Sequence, residues 1–191
     1  MAPRRDTRRR MLLSAVDLMR ERGAAGVTID AVLERSAAPR GSVYHHFPGG
    51  RAELVADALD LAGDSITALI EGASGEGAVE ALRRFSAFWA GVLLESDFAA
   101  GCPVVSVAVG GSFEEEHLRP AVADTMGRWR DVFAAAMVTD GLDPRAAASL
   151  ATVAIASIEG AIILCRVQRS VDPLNDVIAH LVTLVSSAGP A

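Results

Sequence analysis

Thr28-Ile29-Asp30-Ala31-Val32-Leu33-Glu34-Arg35-Ser36, a turn of Ala37-Ala38, and then Pro39-Arg40-Gly41-Ser42-Val43-Tyr44-His45-His46-Phe47 is the stretch that decides the reading of this chain. Thr28 suits a helix N-cap, because its hydroxyl can accept from a backbone N–H one turn on. Asp30 falls in the first turn, where a negative charge complements the helix dipole. Val27 and Val32 stand at the two positions of a hydrophobic staple. Ile29, Val32 and Leu33 share one face at helical spacing. Beyond the turn, Pro39 is expected at the first position of a further helix, where its missing N–H costs nothing. Val43 and Phe47, four residues apart, anchor that helix inward. Arg40, Ser42, Tyr44, His45 and His46 are left polar on other faces. Two short helices across a tight turn have the layout of a helix-turn-helix, whose second helix enters a DNA major groove.

The charge distribution agrees. All eighteen basic residues are Arg, and the net charge is −6. Residues 1–51 carry ten Arg against five acids, a net +5, while residues 52–191 carry a net −11. A basic segment on an acidic body points to a polyanion reader joined to a domain with another task. We therefore divide the chain at 1–50, a helix-turn-helix DNA-binding domain, and 51–191, a second, helical domain. The segment Arg4, Arg5, Arg8, Arg9 and Arg10 is either a solvated tail or an arm toward phosphates and the minor groove.

Periodicity around that stretch is helical throughout. A first helix, capped by Asp6 or Thr7, runs to about Arg22 with Leu12, Ala15, Val16 and Met19 inward, and Gly23 ends it. Gly26 is expected to keep the next connection loose. A fourth helix spans about Arg51 to Ile70 and a fifth about Val79 to Glu95. A short apolar helix follows the break from Asp97 to Pro103. Ser112-x-x-Glu115 has the pattern of a capping box opening a seventh helix, with Pro120 expected to kink it. Asp143-Pro144 and Asp172-Pro173 open the eighth and ninth. The expected fold is all-α, about nine helices, without strands. The apolar run Ala146 to Cys165 contains Ser149, Thr152, Ser157 and Glu159 and reads as a buried packing helix, not a membrane span. Asp17 and Arg20-Glu21-Arg22 interrupt what would otherwise pass for an N-terminal signal. A cytoplasmic protein is expected, with Cys102 and Cys165 as isolated reduced thiols.

The chain resembles the TetR family of bacterial transcriptional regulators. The residues carrying the resemblance are Ala15 to Gly23, Thr28-Ile29-Asp30-Ala31-Val32, Gly41-Ser42-Val43-Tyr44-His45-His46-Phe47 and Glu53-Leu54. Phe47-Pro48-Gly49-Gly50-Arg51, Gly101-Cys102-Pro103 and Gly141-Leu142-Asp143-Pro144 look like the branch containing the LmrA and YxaF repressors. The chain departs from the family at Ala37, where Gly is usual, at Pro39 in place of Ser, at the extra glycine of Gly49-Gly50, and at Arg51 in place of Lys.

The resemblance implies a DNA-binding set of Thr28, Arg40, Gly41, Ser42, Tyr44, His45, His46 and Arg51. Arg40 sits where base contacts usually fall, with a phosphate contact as its other role. Tyr44 and His46 are placed on phosphates, His45 on a phosphate or base edge, and Arg51 on a phosphate at the start of the fourth helix. The resemblance also implies a two-fold dimer on a near-palindromic operator. Helices eight and nine are the dimer candidates, through Ala151, Ile155, Ile158, Ile162, Leu181, Val182 and Val185; an intramolecular core competes for the same residues. A small hydrophobic or aromatic effector is expected among Phe88, Trp89, Phe113, His117, Met126, Trp129, Phe133 and Glu159. Neither a metal nor a cofactor is expected, and no catalytic constellation is apparent. The alternative is a DNA-binding dimer without a small ligand, controlled by a protein partner or by abundance.

Overall fold

The computed structural model describes residues 2–110 and 113–188. Among them are nine α-helices and three short 3-10 turns, and no strand. The helices are α1 (Ala2–Arg22), α2 (Ile29–Ser36), α3 (Val43–His46), α4 (Gly50–Ser74), α5 (Ala78–Glu95), α6 (Pro103–Gly110), α7 (Arg119–Thr139), α8 (Pro144–Gln168) and α9 (Asp172–Ala188).

The chain packs as two compact units. The first comprises residues 1–64 and 102–122, the second residues 65–101 and 123–191. The first compact unit thus reaches past residue 50 and takes α6 back from later in the chain. In it, α1 packs on α2 and α6. Leu12, Ala15, Val16 and Met19 of α1 are all buried, as the periodicity implies. Val27 and Val32, in the turn and the helix that α1 packs against, are both at 0 % exposure. In the second unit α9 packs on α8 and α5. Phe85, Trp89, Trp129 and Phe133 form its aromatic centre, with the Phe85 ring edge-on to Trp89 and Phe133 at centroid separations of 6.2 and 5.7 Å. Edge-to-face packing sets the positive ring edge against a negative face. Among the described residues α8 has the length and hydropathy to cross a membrane. Its Ala147, Ala151, Ala154, Ile158, Ala161, Ile162 and Cys165 are nevertheless buried in protein.

Several local expectations need correction. α1 starts at Ala2 and not at a cap on Asp6 or Thr7, so the arginine segment continues a helix. Gly26 is a tight contact, not a loose joint: a Cβ there would stand 2.4 Å from the Arg22 Cβ. Residues Ala24–Gly26 form a closed 3-10 turn. Pro39 is extended, at φ −61° and ψ 140°, and precedes a 3-10 turn Arg40–Ser42 that feeds α3. Its ring fixes φ, and the residue before the turn needs no helical ψ. Pro120 does not kink a helix, because α7 begins at Arg119 after a 3-10 stretch Phe113–Leu118 and the proline lies in the first turn. The proposed capping serine, Ser112, lies outside the described residues. Asp143 caps α8 as expected, accepting from the N–H groups of Arg145 and Ala146 at 3.0 Å. At α9 the helix takes in Asp172 itself, and Ser170 accepts the Asp172 N–H at 3.1 Å.

Candidate nucleic-acid interface

The reader is built outward from two buried anchors. Val43 and Phe47 are fully buried, which pins α3 and the end of its turn to the first unit. Burying a side chain of this kind contributes about 1.5–3 kcal/mol. With those two fixed, the intervening residues must point away. The Arg40 side chain is 89 % exposed and Tyr44 is 64 % exposed. His45 is exposed and His46 half-buried. A large aromatic left this open is a poor contribution to a monomer's stability and a good one to a contact surface. A Cβ at Gly41 would meet nothing within 4 Å, so the backbone there stands open to an approaching partner. The Ser42 hydroxyl donates to the Pro39 carbonyl at 2.6 Å, closing the turn from inside.

The approach to α3 is set by α2. The Thr28 hydroxyl accepts the Ala31 N–H at 3.2 Å, the N-cap bond its sequence position implies. At the other end Ala37 is left-handed, at φ 51°. Its N–H and that of Ala38 return to the Glu34 and Leu33 carbonyls at 3.4 and 3.2 Å, a Schellman closure that usually employs glycine. Asp30 reaches Arg40 at 3.7 Å. Both groups are highly exposed, so the pair orients Arg40 more than it stabilises the fold.

Three ties brace the reader from behind. Arg35 of α2 donates two hydrogen bonds to Glu21 of α1, at 2.9 and 2.8 Å. The bonded Arg35 guanidinium holds the Glu21 carboxyl below its ordinary value. Arg8 donates to Asp57 of α4 at 2.6 Å while its guanidinium carbon lies 5.0 Å from the Phe47 ring centroid. Burial pushes the Asp57 carboxyl up, outweighing the opposing pull of Arg8. Arg51, expected on a phosphate, donates to the Val27 and Ala24 carbonyls at 2.8 and 2.7 Å. Arg8, one of the five arginines of the N-terminal segment, is thereby tied to Asp57, which no sequence motif marks. The signal was available: Arg8 stands four residues before Leu12 and extends the inward stripe of α1 by one turn.

Gly49-Gly50 also has a structural account. Gly50 is left-handed, at φ 66°, and a Cβ there would touch the Tyr44 ring at 3.5 Å. The Gly49 N–H donates to Glu53 at 2.6 Å, so the Gly49-Gly50 turn closes onto α4.

The sequence profile of bacterial regulatory proteins, tetR family, matches residues 12–58. That of the transcriptional regulator LmrA/YxaF-like C-terminal domain matches residues 78–180. An uncharacterized HTH-type transcriptional regulator of Mycobacterium tuberculosis strain H37Rv is 42 % identical over 188 residues, covering 96 % of each chain. This chain belongs to the TetR family of transcriptional regulators. Its similarity to the regulator YxaF of Bacillus subtilis is 29 % identity over 191 residues, covering 99 % of this chain and 100 % of that one. In fold it is similar to the TetR-family regulator CifR, solved as a cysteine mutant with a 26-base-pair double-strand operator DNA. The TM-score is 0.75 at 22 % identity, covering 92 % of this chain and 94 % of that one.

As a TetR-family regulator the chain places the expected effector residues unevenly. Trp89, Trp129 and Phe133 are fully buried in the second unit. The Trp129 indole N–H donates to the Thr67 hydroxyl at 3.0 Å. The Trp89 indole nitrogen is buried with no hydrogen-bond acceptor among the described residues. Phe88 and Met126 are half-buried, and Glu159 is 8 % exposed within α8. His117 is exposed and belongs to the first unit, not the second. The Phe113 side chain lies outside the described residues. An open groove of about 660 Å³ in the second unit is lined by Glu71, Glu76, Thr139 and Asp140 among others, and none of the expected effector residues lines it.

The dimer candidates divide in the same way. Ala151, Ile158, Ile162 and Val185 are buried within the chain and serve its own core, while Leu181, also buried, lines a groove beside Leu184. Ile155 and Val182 are half-buried. The same two helices instead expose Val153, Ile163, Leu164, Val167 and Leu184. Both helices are thus apolar over more than one face, and the packing decides which face stays inside.

Proposed function

We propose that the protein is a ligand-responsive repressor that binds a near-palindromic operator as a homodimer in the cytoplasm and is released by a small hydrophobic or aromatic effector. The observation carrying this reading is the reader itself. Arg40 and Tyr44 are presented at 89 % and 64 % exposure from a segment whose Val43 and Phe47 are immobilised at 0 %. Rigid support with polar, basic and aromatic tips suits a surface that positions on phosphates and reads base edges. CifR, similar in fold, is solved with double-strand operator DNA, which supports a DNA-binding use for a chain of this fold.

The dimer would form on the outward face of α8 and α9. That face holds a groove of about 350 Å³ lined by Val153, Ser157, Asp176, Val177, His180, Leu181 and Leu184. A second copy covering it would double the reader and give the two-fold spacing that a palindrome needs. The case for an effector rests on Trp89. A buried donor without an acceptor costs about 1–3 kcal/mol. An aromatic ligand carrying a hydrogen-bond acceptor would recover that cost on binding. Such a ligand relieves repression only by binding better to the conformation that does not fit DNA.

The test is a gel shift on the DNA upstream of the protein's own gene, with a salt titration, beside an Arg40→Ala/Tyr44→Ala variant. A competitor-resistant shift that the variant loses is the expected result. Salt-sensitive smearing shared by both proteins would contradict site-specific reading on that DNA. Ligand-shifted melting across aromatic compounds, compared between wild type and Trp89→Phe, tests the effector half.

A further inference from the structure

The role of Arg51 follows from what its guanidinium already holds. It opens α4, yet its Nε and one Nη reach back to the Val27 and Ala24 carbonyls. These two carbonyls bracket the 3-10 turn that joins α1 to α2. Ala24 O also accepts the Val27 N–H at 3.0 Å, so it carries two donors at once. Val27 is fully buried and immediately precedes Thr28, the residue whose hydroxyl starts α2. There is no room for a side chain at Gly26 in this turn, since a Cβ there would clash with the Arg22 Cβ. A planar fork with fixed donor directions matches two carbonyls at this spacing, whereas an ammonium offers a single charged point. The carbonyls are those of the last link before the helix-turn-helix. Whatever fixes them fixes where α2 begins.

We propose that Arg51 is a positioning residue of the DNA reader: it clasps the α1–α2 turn onto the start of α4, and it acts on DNA recognition through the placement of α2 and α3 rather than through a phosphate. The inference rests on the DNA-binding reading above. It makes the Arg found here in place of the family's usual Lys a functional difference and not a substitution of like for like. A phosphate contact needs only a positive charge, while a clasp needs the fork.

The two roles leave different signatures in salt. A phosphate contact releases counterions, so its loss lowers the slope of log K against log salt by about 0.9 and weakens specific and non-specific binding alike. A positioning role leaves the slope unchanged and lowers the ratio of specific to non-specific affinity. A role confined to stability lowers the melting temperature and moves neither quantity. The experiment uses the full-length protein, its Arg51→Lys and Arg51→Ala variants, a duplex selected from a random pool by the wild type, and a scrambled duplex of equal length. Salt is varied and melting temperatures are recorded alongside. We expect both variants to lose about fivefold or more of the specific-to-scrambled ratio, the equivalent of one base contact, at unchanged slope. Wild-type binding by Arg51→Lys, with a slope reduced by about one in Arg51→Ala, would overturn the proposal. So would a lower melting temperature with ratio and slope both intact.

Amide exchange over residues 24–28, measured without DNA, separates a failed clasp from a failed functional reading. Faster exchange there in both variants is expected from the loss of two carbonyl bonds. Unchanged exchange would refute the clasp even if no duplex were ever selected. Conversely, faster exchange from a protein that selects no duplex would leave the clasp standing and sink the DNA-binding reading, and with it the proposed effect on recognition.

Discussion

Glu21 and Arg35 show what a partly exposed ion pair contributes to this reader. Each side chain keeps roughly a third of its surface in water, with 29 % exposure for Glu21 and 31 % for Arg35. Their two-pronged geometry is the favourable one, yet solvent keeps its stability contribution to about 1 kcal/mol or less. Its pH dependence has a definite sign. Because the folded Glu21 carboxyl lies below its ordinary value of 4.5, the contribution is complete above that pH and is lost as the pH falls through the folded value. Melting of wild type against Glu21→Gln should therefore show a gap at pH 7 that closes on acidification below about 4.5. A gap that widens on acidification would contradict the assignment. Asp57 has the opposite sign. Burial raises its carboxyl, so the charged form is a net cost at neutral pH despite Arg8. Its favourable contribution exists below the ordinary carboxyl value and disappears as the pH rises through the raised one. Asp57→Asn is expected to leave the pH 7 melting temperature unchanged or to raise it, since an amide oxygen still accepts from Arg8. A clear fall in melting temperature would show that the ion pair outweighs its desolvation.

Elements of the reader were legible wherever the signal was local. Thr28 capped α2, Gly23 ended α1, and the spacing of Val43 and Phe47 gave the buried side of α3. These depend on residues within one turn of each other, and a sequence displays them directly. Pro39, Pro120 and Gly26 are not legible in this way, because each depends on what lies opposite or on which helix the residue joins. A proline's fixed φ suits an extended residue or a first helical turn equally well. The buried faces of α8 and α9 were ambiguous for a similar reason, since helices apolar on more than one side do not announce which side stays inside. Ala37 gives a prediction at this scale. It is a non-glycine residue at φ 51°, in a closure that glycine adopts without a Cβ penalty. Ala37→Gly should stabilise the protein by about 0.5–1 kcal/mol, or roughly 1–4 °C in Tm at this chain length. Thermal melting checks it, and a lower Tm would mean that the turn is not strained.

The molecule as a whole combines a basic reader with an acidic helical body, and on the proposed function a second copy completes the reader. The exposed apolar side chains of α8 and α9 are the place to break it. Leu184→Glu sets a charge into the groove beside Val153 and Val177, on a residue already 48 % exposed in the single chain. The fold should survive with little change in melting, while light scattering falls from two copies to one and operator affinity drops with it. A variant that stays dimeric would place the interface elsewhere. The measurement that bears most directly on the central claim is selection of duplexes from a random pool by wild type and by Arg40→Ala/Tyr44→Ala. The wild type is expected to enrich one two-fold-symmetric sequence, with half-sites a whole number of helical turns apart, and the variant to enrich none. Enrichment of no motif by the wild type, or of the same motif by both proteins, would contradict it.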